Sequence, residues 1–351
     1  MGGALLGFPL MGVFLAGFPL DRYLEFPPET VYVTPASFSW IAFVIYVLFI
    51  LAVVLPFVLK GIRAFGRTET LGSPSNHFPW WGSLGVLAGM VSWIFAWTRF
   101  PWFEAFQPFT FTPLWLSFIL VMNASTFRRT GRCMLLERPG FFLLLFPASA
   151  AFWWLFEYLN RFVQNWHYVG VDFSAWEYFW YATLPFSTVL PAVLSAREWI
   201  RTFGWVEEGF GNFFPVSISR PYASAWVALI FSGAGLAGIG VWPDFLFPLL
   251  WISPLLIIVS LQVLMKERHI LSRIPEADWR LVVSSALAAL LCGFFWEMWN
   301  FFSLARWEYS VPFVDRFHIF EMPVLGYAGY LPFGLEIAVI EGMVDTHSRN
   351  E

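Results

Sequence analysis

Phe156-Glu157-Tyr158-Leu159-Asn160, followed by Trp166-x-Tyr168, returns 140 residues later as Trp296-Glu297-Met298-Trp299-Asn300, followed by Trp307-x-Tyr309. Each copy places a carboxyl and a carboxamide three residues apart inside a long apolar run. Polar groups there cost free energy in a bilayer, so a chain that carries the arrangement twice is expected to use it. The reading of everything around the two copies follows from that expectation.

The runs that flank them are typical of the whole chain. Of 351 residues, 58% are hydrophobic and 13% charged, with a mean hydropathy of +0.65. That leaves too little polar surface to clothe a soluble globule and reads as an integral membrane protein. Aromatic residues make up 21%, with 42 Phe and 21 Trp, more than interfacial belts need, so some rings are expected to line an interior. The net charge of -4 comes without a basic tract, which sets nucleic acid aside as a partner. Two cysteines, Cys133 and Cys292, supply neither a disulfide framework nor a Cys-based metal or iron–sulfur site. The chain lacks paired transmembrane histidines for haem and a Gly-rich nucleotide loop, and the spacing of His167 and His318 specifies no metal motif. No cofactor and no metal are therefore expected.

Spanning a core of about 30 Å takes roughly 20 helical residues. Nine runs qualify, at 37–59, 81–99, 112–127, 140–161, 175–197, 223–242, 245–265, 280–303 and 318–342. Positive charge orients them. Lys60, Arg63 and Arg67; Arg128, Arg129, Arg132 and Arg138; Arg197, Arg201 and Arg220; and Lys266, Arg268, Arg273 and Arg280 fall in alternate loops. This puts the N-terminus outside and the C-terminus in the cytoplasm, and the expected location is a bacterial inner membrane. Residues 1–20 contain Pro9 and Pro19 and lack a positive leader region, so they read as a re-entrant or interfacial segment; if they cross, the helices number ten.

Laying residue n on n+140 superposes Glu157 on Glu297 and Asn160 on Asn300, and one inserted residue aligns the Trp-x-Tyr pairs. Pro113 and Pro254 fall near equivalent places. Helices two to five thus correspond to six to nine, and four helices per copy make the repeat parallel, about an axis along the membrane normal. The expected fold is an all-α, polytopic helical membrane protein of about nine transmembrane helices, two parallel four-helix repeats plus one N-terminal helix. The divisions are an N-terminal segment at 1–36, the first helix and inner loop at 37–80, repeat 1 at 81–198, a connector at 199–222, repeat 2 at 223–343 and a tail at 344–351.

Glu157 and Glu297 lie near the outward ends of their helices and are the candidate catalytic residues, as proton donors. Asn160 and Asn300 share their faces, and with Trp166, Tyr168, Trp296, Trp307 and Tyr309 they are candidate substrate contacts. Glu321 and Glu336 join this set, because the ninth run carries Pro323, Gly326, Gly329, Pro332 and Gly334, a density that favours a broken span with freed backbone groups. The fifth run has a weaker counterpart in Glu177, Pro185 and Pro191. The bland alternatives are that Glu157 pairs with Arg161 and Glu297 with Arg306, that the asparagines bind backbone, and that the Trp-x-Tyr pairs form an outer aromatic belt.

The functional expectation is a protein that binds or processes a hydrophobic, lipid-like molecule of isoprenoid, carotenoid or quinone type in the outer half of the bilayer, with membrane lipids as its other partners. A proton-coupled transporter of a hydrophobic solute and a structural subunit of a larger membrane complex are the alternatives, and the sequence names no protein partner. In arrangement alone, as tandem helical repeats bearing carboxylates, the chain is similar to the small membrane-bound lycopene cyclases. No family motif aligns and the helix count per repeat differs, so that likeness transfers no residue role.

Overall fold

The computed structural model describes residues 2–27, 31–65 and 77–345. Arg67 and residues 346–351 of the expected tail lie outside the described residues. The chain is mostly helical: α1 Gly2–Leu15, α2 Trp40–Phe65, α3 Trp80–Trp97, α4 Phe111–Thr130, α5 Pro139–Val163, α6 Ala175–Phe186, α7 Val189–Ile200, α8 Gly204–Phe210, α9 Pro221–Gly238, α10 Pro248–Leu264, α11 Arg280–Phe301 and α12 Tyr330–Val344. Single helical turns at Asp21–Leu24, Met134–Glu137 and Pro243–Leu246 sit in the connections.

Among the described residues, six helices are long and apolar enough to cross a membrane: α2, α3, α5, α6 with α7, α11, and Val324–Val344. A seventh follows if α4 and the 3-10 helix Pro101–Phe109 before it, bent by 66°, make one span. The runs expected at 223–242 and 245–265 fold as α9 and α10 and are not among these. At 17 residues, α10 reaches only about 26 Å.

Two expected spans are broken rather than straight. The fifth run divides at Ser187 and Thr188 into α6 and α7. Ser149 of α5 bridges the break: its hydroxyl donates to Phe186 O at 2.6 Å and accepts from Leu190 N–H at 3.0 Å. This supplies both backbone groups with a partner where the helix ladder does not. Glu177 caps α6 in a capping box with Ser174, which explains it without reference to any ligand. In the ninth run, residues 318–323 form a small hairpin of β3 His318–Ile319 and β4 Met322–Pro323, then a 3-10 turn, Val324–Gly329, enters α12.

Packing alternates in the two halves: α3 lies on α4, α9 on α10, and α7 and α12 contact both α5 and one another. Phe333 of α12 is the hub of the core, 1% exposed and within ring-contact distance of Phe152, Trp153, Phe156, Trp251 and Trp296. The first segment is a helix of 14 residues, about 21 Å long. It packs along α9, where Gly12 lies so close to the Ala237 carbonyl that a side chain there would collide with it.

At one end of the bundle β1 Trp166–Val169 pairs antiparallel with β2 Arg306–Tyr309, with Trp166 opposite Tyr309 and Tyr168 opposite Trp307. The strands leave α5 and α11 after two and four residues, so this pairing fixes the C-termini of both helices on one side. Gly170 ends β1 with a φ of 91° against the Leu304 carbonyl, a place that admits only glycine. At the other end the charged loops meet through Arg138–Asp345, Arg197–Glu341 and Arg280–Glu207 ion pairs at 2.8, 2.6 and 3.1 Å.

Candidate functional site

Glu157 and Glu297 are both fully buried. A buried carboxyl needs donors, and in both copies the first donor is the tyrosine of the Trp-x-Tyr pair, delivered by the strand that follows the helix. Tyr168 Oη donates to Glu157 Oε1 at 2.6 Å and Tyr309 Oη to Glu297 Oε1 at 2.7 Å. A second tyrosine comes from the broken helix of each half: Tyr178 of α6 to Glu157 Oε2 at 3.4 Å and Tyr330 of α12 to Glu297 Oε1 at 2.6 Å. Trp153 and Trp166 add Nε1–H donors to Glu157 Oε1 at 3.0 and 3.1 Å. Nothing equivalent reaches Glu297, where Trp307 Nε1 donates to Tyr309 Oη at 2.8 Å and Glu297 Oε2 has no partner among the described residues.

The difference has a local cause. Gly293 stands 140 residues after Trp153, and the Tyr330 ring occupies the space its side chain would take.

The ion pairs offered by the bland alternative do not form. Arg161 donates to Tyr23 O at 2.8 Å and Arg306 to Glu308 Oε1 at 2.8 Å. The asparagines, expected as substrate contacts, are instead clamps on the strands. Asn160 Nδ2 donates to Trp166 O at 2.8 Å while its Oδ1 accepts from Asn165 N–H at 2.8 Å. Asn300 repeats the device on Trp307, donating to its carbonyl at 2.7 Å and accepting from its N–H at 2.9 Å. With both the amide nitrogen and the amide oxygen bonded to backbone, they position the Trp-x-Tyr pairs, and neither lines the cavity that those pairs wall.

Trp166, Tyr168, Trp307 and Tyr309 do not form an outer belt either. Together with Trp153, Trp251, Trp296, Tyr178 and Tyr330 they wall a cavity of about 830 Å³ between the two halves. Neither glutamate lines it; the tyrosines stand between carboxyl and cavity. Burial, then the charge of the adjoining carboxyl, pushes the Tyr168 and Tyr309 hydroxyls well above their ordinary range, so both remain O–H donors at neutral pH. Burial likewise pulls the His167 imidazole down, against the opposing pull of Glu308.

Glu321 and Glu336 are not cavity residues. Glu321 sits at the turn of the β3–β4 hairpin, its carboxyl pushed up by partial burial and then by Glu308. Glu336 lies buried against α10, where its Oε1 accepts from Leu255 N–H at 3.2 Å beside the helix-interior Pro254. Tyr178, Tyr330, Trp153 and Trp251 belong to the site and were missed. Trp153 stands four residues before Glu157 on the same helix, whereas the separations of the two tyrosines from the glutamates, 21 and 33 residues, follow no helical spacing. The available signal was indirect: two carboxyls without cations in apolar sequence require hydroxyl or indole donors.

Compared with protein-family models, curated proteins and solved structures, the chain finds no match in any of the three.

Proposed function

We propose that this protein is an integral membrane protein that binds, and by proton transfer processes, a hydrophobic lipid-like molecule of isoprenoid or quinone type. The observation that carries the proposal is the cavity of about 830 Å³ whose lining includes five tryptophans and six tyrosines, with the hydroxyls of Tyr168, Tyr178, Tyr309 and Tyr330 each backed by a buried carboxyl. Its volume is that of a small-molecule site. The indole walls supply apolar contact and the ring faces stabilise developing positive charge. The groups that reach a ligand are the hydroxyls, and Glu157 and Glu297 set their orientation and proton supply.

In this reading the nine helical runs all lie in the bilayer, α9 and α10 included, and the protein is a parallel duplication. Support comes from the β1–β2 register, in which each Trp opposes the other copy's Tyr, the exchange that a twofold axis along the membrane normal produces. The arginine-rich loops gather at the end away from the cavity, which supports placing the cavity in the outer half of a bacterial inner membrane with the C-terminus inside.

The test is mass spectrometry of the gently solubilised protein, wild type against Tyr330→Phe with Tyr309→Phe. A discrete isoprenoid or quinone retained by the wild type and lost by the double variant is the expected result. A stoichiometric protein partner without a lipid, or pH-dependent solute flux in proteoliposomes without a retained ligand, would overturn the reading.

A further inference from the structure

Helix α2 is attached to the bundle at its two ends and, between them, approaches the Val324–Gly329 turn. At the cavity end, Ser39 N–H donates to Phe313 O at 2.9 Å and Phe313 N–H to Ala36 O at 3.1 Å. At the far end, α8 packs against it with Gly209 facing Ala64, and Lys60 Nζ reaches Asn212 O at 3.3 Å. Between these points the cleft is open. A second cavity of about 990 Å³ lies there, between α2 and the α11–α12 pair. It shares Ile50, Val53, Val54, Leu325 and Leu331 with the aromatic cavity, so the two adjoin at a neck bounded by these residues.

The α2 residues that line the two cavities are Tyr46, Phe49, Ile50, Val53, Val54, Phe57, Val58, Gly61, Ile62 and Phe65. They recur every three or four positions and form one helical face. From Tyr46 to Phe65 the helix rises about 28 Å, close to the full ~30 Å hydrocarbon core and about twice the depth of one leaflet. Polarity is confined to one end: the upper part offers Tyr168, Tyr178, Tyr309, Asn165, Asp172 and Arg306, whereas the lower part is apolar apart from Tyr327.

We propose, resting on the function argued above, that this cleft holds one apolar chain long enough to cross both leaflets. Its small polar end lies under the tyrosines and its tail runs down α2 to Phe57, Trp205 and Trp279. An ordinary acyl chain, which ends near the bilayer midplane, would leave the lower half of the cleft without an occupant of matching length; a long polyprenyl chain fills it. The open side of the cleft provides entry from the membrane.

The experiment uses the full-length protein in lipid nanodiscs and two polyprenols, of four and eight isoprene units, each with a diazirine at the end remote from its hydroxyl. After irradiation the labelled residues are read by peptide mass spectrometry. The eight-unit probe is expected to label the segments around Trp205 and Trp279, and the four-unit probe those around Val53 and Leu325. Ala286→Trp, which places an indole in the lower cavity, should cut labelling by the long probe at least about tenfold and leave the short one unchanged. Tails of both probes labelling the same upper residues, labelling spread evenly over the outer face of α2, or no effect of Ala286→Trp would overturn the length assignment while the function stands. Absence of labelling in either cavity by both probes would overturn the two together.

Discussion

Replacing Asn160 by alanine should destabilise the fold more than replacing Asn300, although the two occupy equivalent places. Asn160→Ala strips the Asn165 N–H and the Trp166 C=O of partners held at 2.8 Å each. Both residues are only 4% exposed, so water does not replace the lost amide. At about 1–3 kcal/mol for each buried group left unsatisfied, the cost is about 2–6 kcal/mol. Asn300→Ala strips the N–H and C=O of Trp307, but Trp307 is only half-buried, so its groups are less shielded from water than those of Asn165 and Trp166. Its cost should therefore fall at or below about 2 kcal/mol. Thermal unfolding of the detergent-purified protein, followed by tryptophan emission, reads both. An equal or larger loss for Asn300→Ala, or no loss for Asn160→Ala, would refute the assignment of these amides as backbone clamps and return them to the ligand.

Glu297→Gln and Glu157→Gln should both yield folded protein by size-exclusion chromatography, because an amide oxygen still accepts from the tyrosines. Weakening the bond to a hydroxyl at the cavity wall should lower retained ligand about tenfold in Glu297→Gln; unchanged retention would remove this carboxyl from the site. Phe333→Ala deletes the ring that both halves share and should cost about 3–5 kcal/mol, measurable in the same thermal scans. The Arg280 guanidinium holds the Asp278 carboxyl down at about 2. A depressed pKa contributes stability that is present above the unfolded value near 4 and lost as the pH falls through about 2. Asp278→Asn should flatten the acid dependence of stability in that window, and an unchanged acid limb would sink the assignment.

The helical class was legible because apolar runs of 20 or so residues leave few alternatives, and the repeat of Glu, Asn and Trp-x-Tyr was legible because polar groups are conspicuous in such runs. What those residues do was not. Tryptophan and tyrosine beyond a helix end have the composition of an interfacial belt, and only the pairing of β1 with β2, which joins segments 140 residues apart, turns them inward. The break at Ser187 depends on Ser149 from another helix, so local proline content gave only a hint of it. Glu336 and Glu321 shared a Gly- and Pro-rich run with Tyr330, yet the hairpin holds Glu321 and Glu336 lies on the side of α12 that meets α10, while Tyr330 reaches Glu297.

The two copies of the motif differ in how their carboxyls are held. Glu157 receives four donors, spread over both oxygens and drawn entirely from its own half, at residues 153, 166, 168 and 178. Such a carboxyl is held in place and has little acceptor capacity left for anything that enters the cavity. Glu297 receives two hydroxyls, both on Oε1, and among the described residues its Oε2 has no donor. Part of the difference lies at Trp153 against Gly293, since a glycine supplies no indole donor and leaves room for the Tyr330 ring, and part at Trp307, whose indole bonds Tyr309 and not the carboxyl. Gly293 thereby ties the spare oxygen of Glu297 to the broken ninth run. A rotation of either tyrosine hydroxyl from Oε1 toward Oε2 would preserve its bond to the carboxyl while redirecting it relative to the cavity. Under the proposed function, the first copy braces the aromatic wall and the second responds to an occupant, a division of labour that the near-identity of the two sequence motifs conceals.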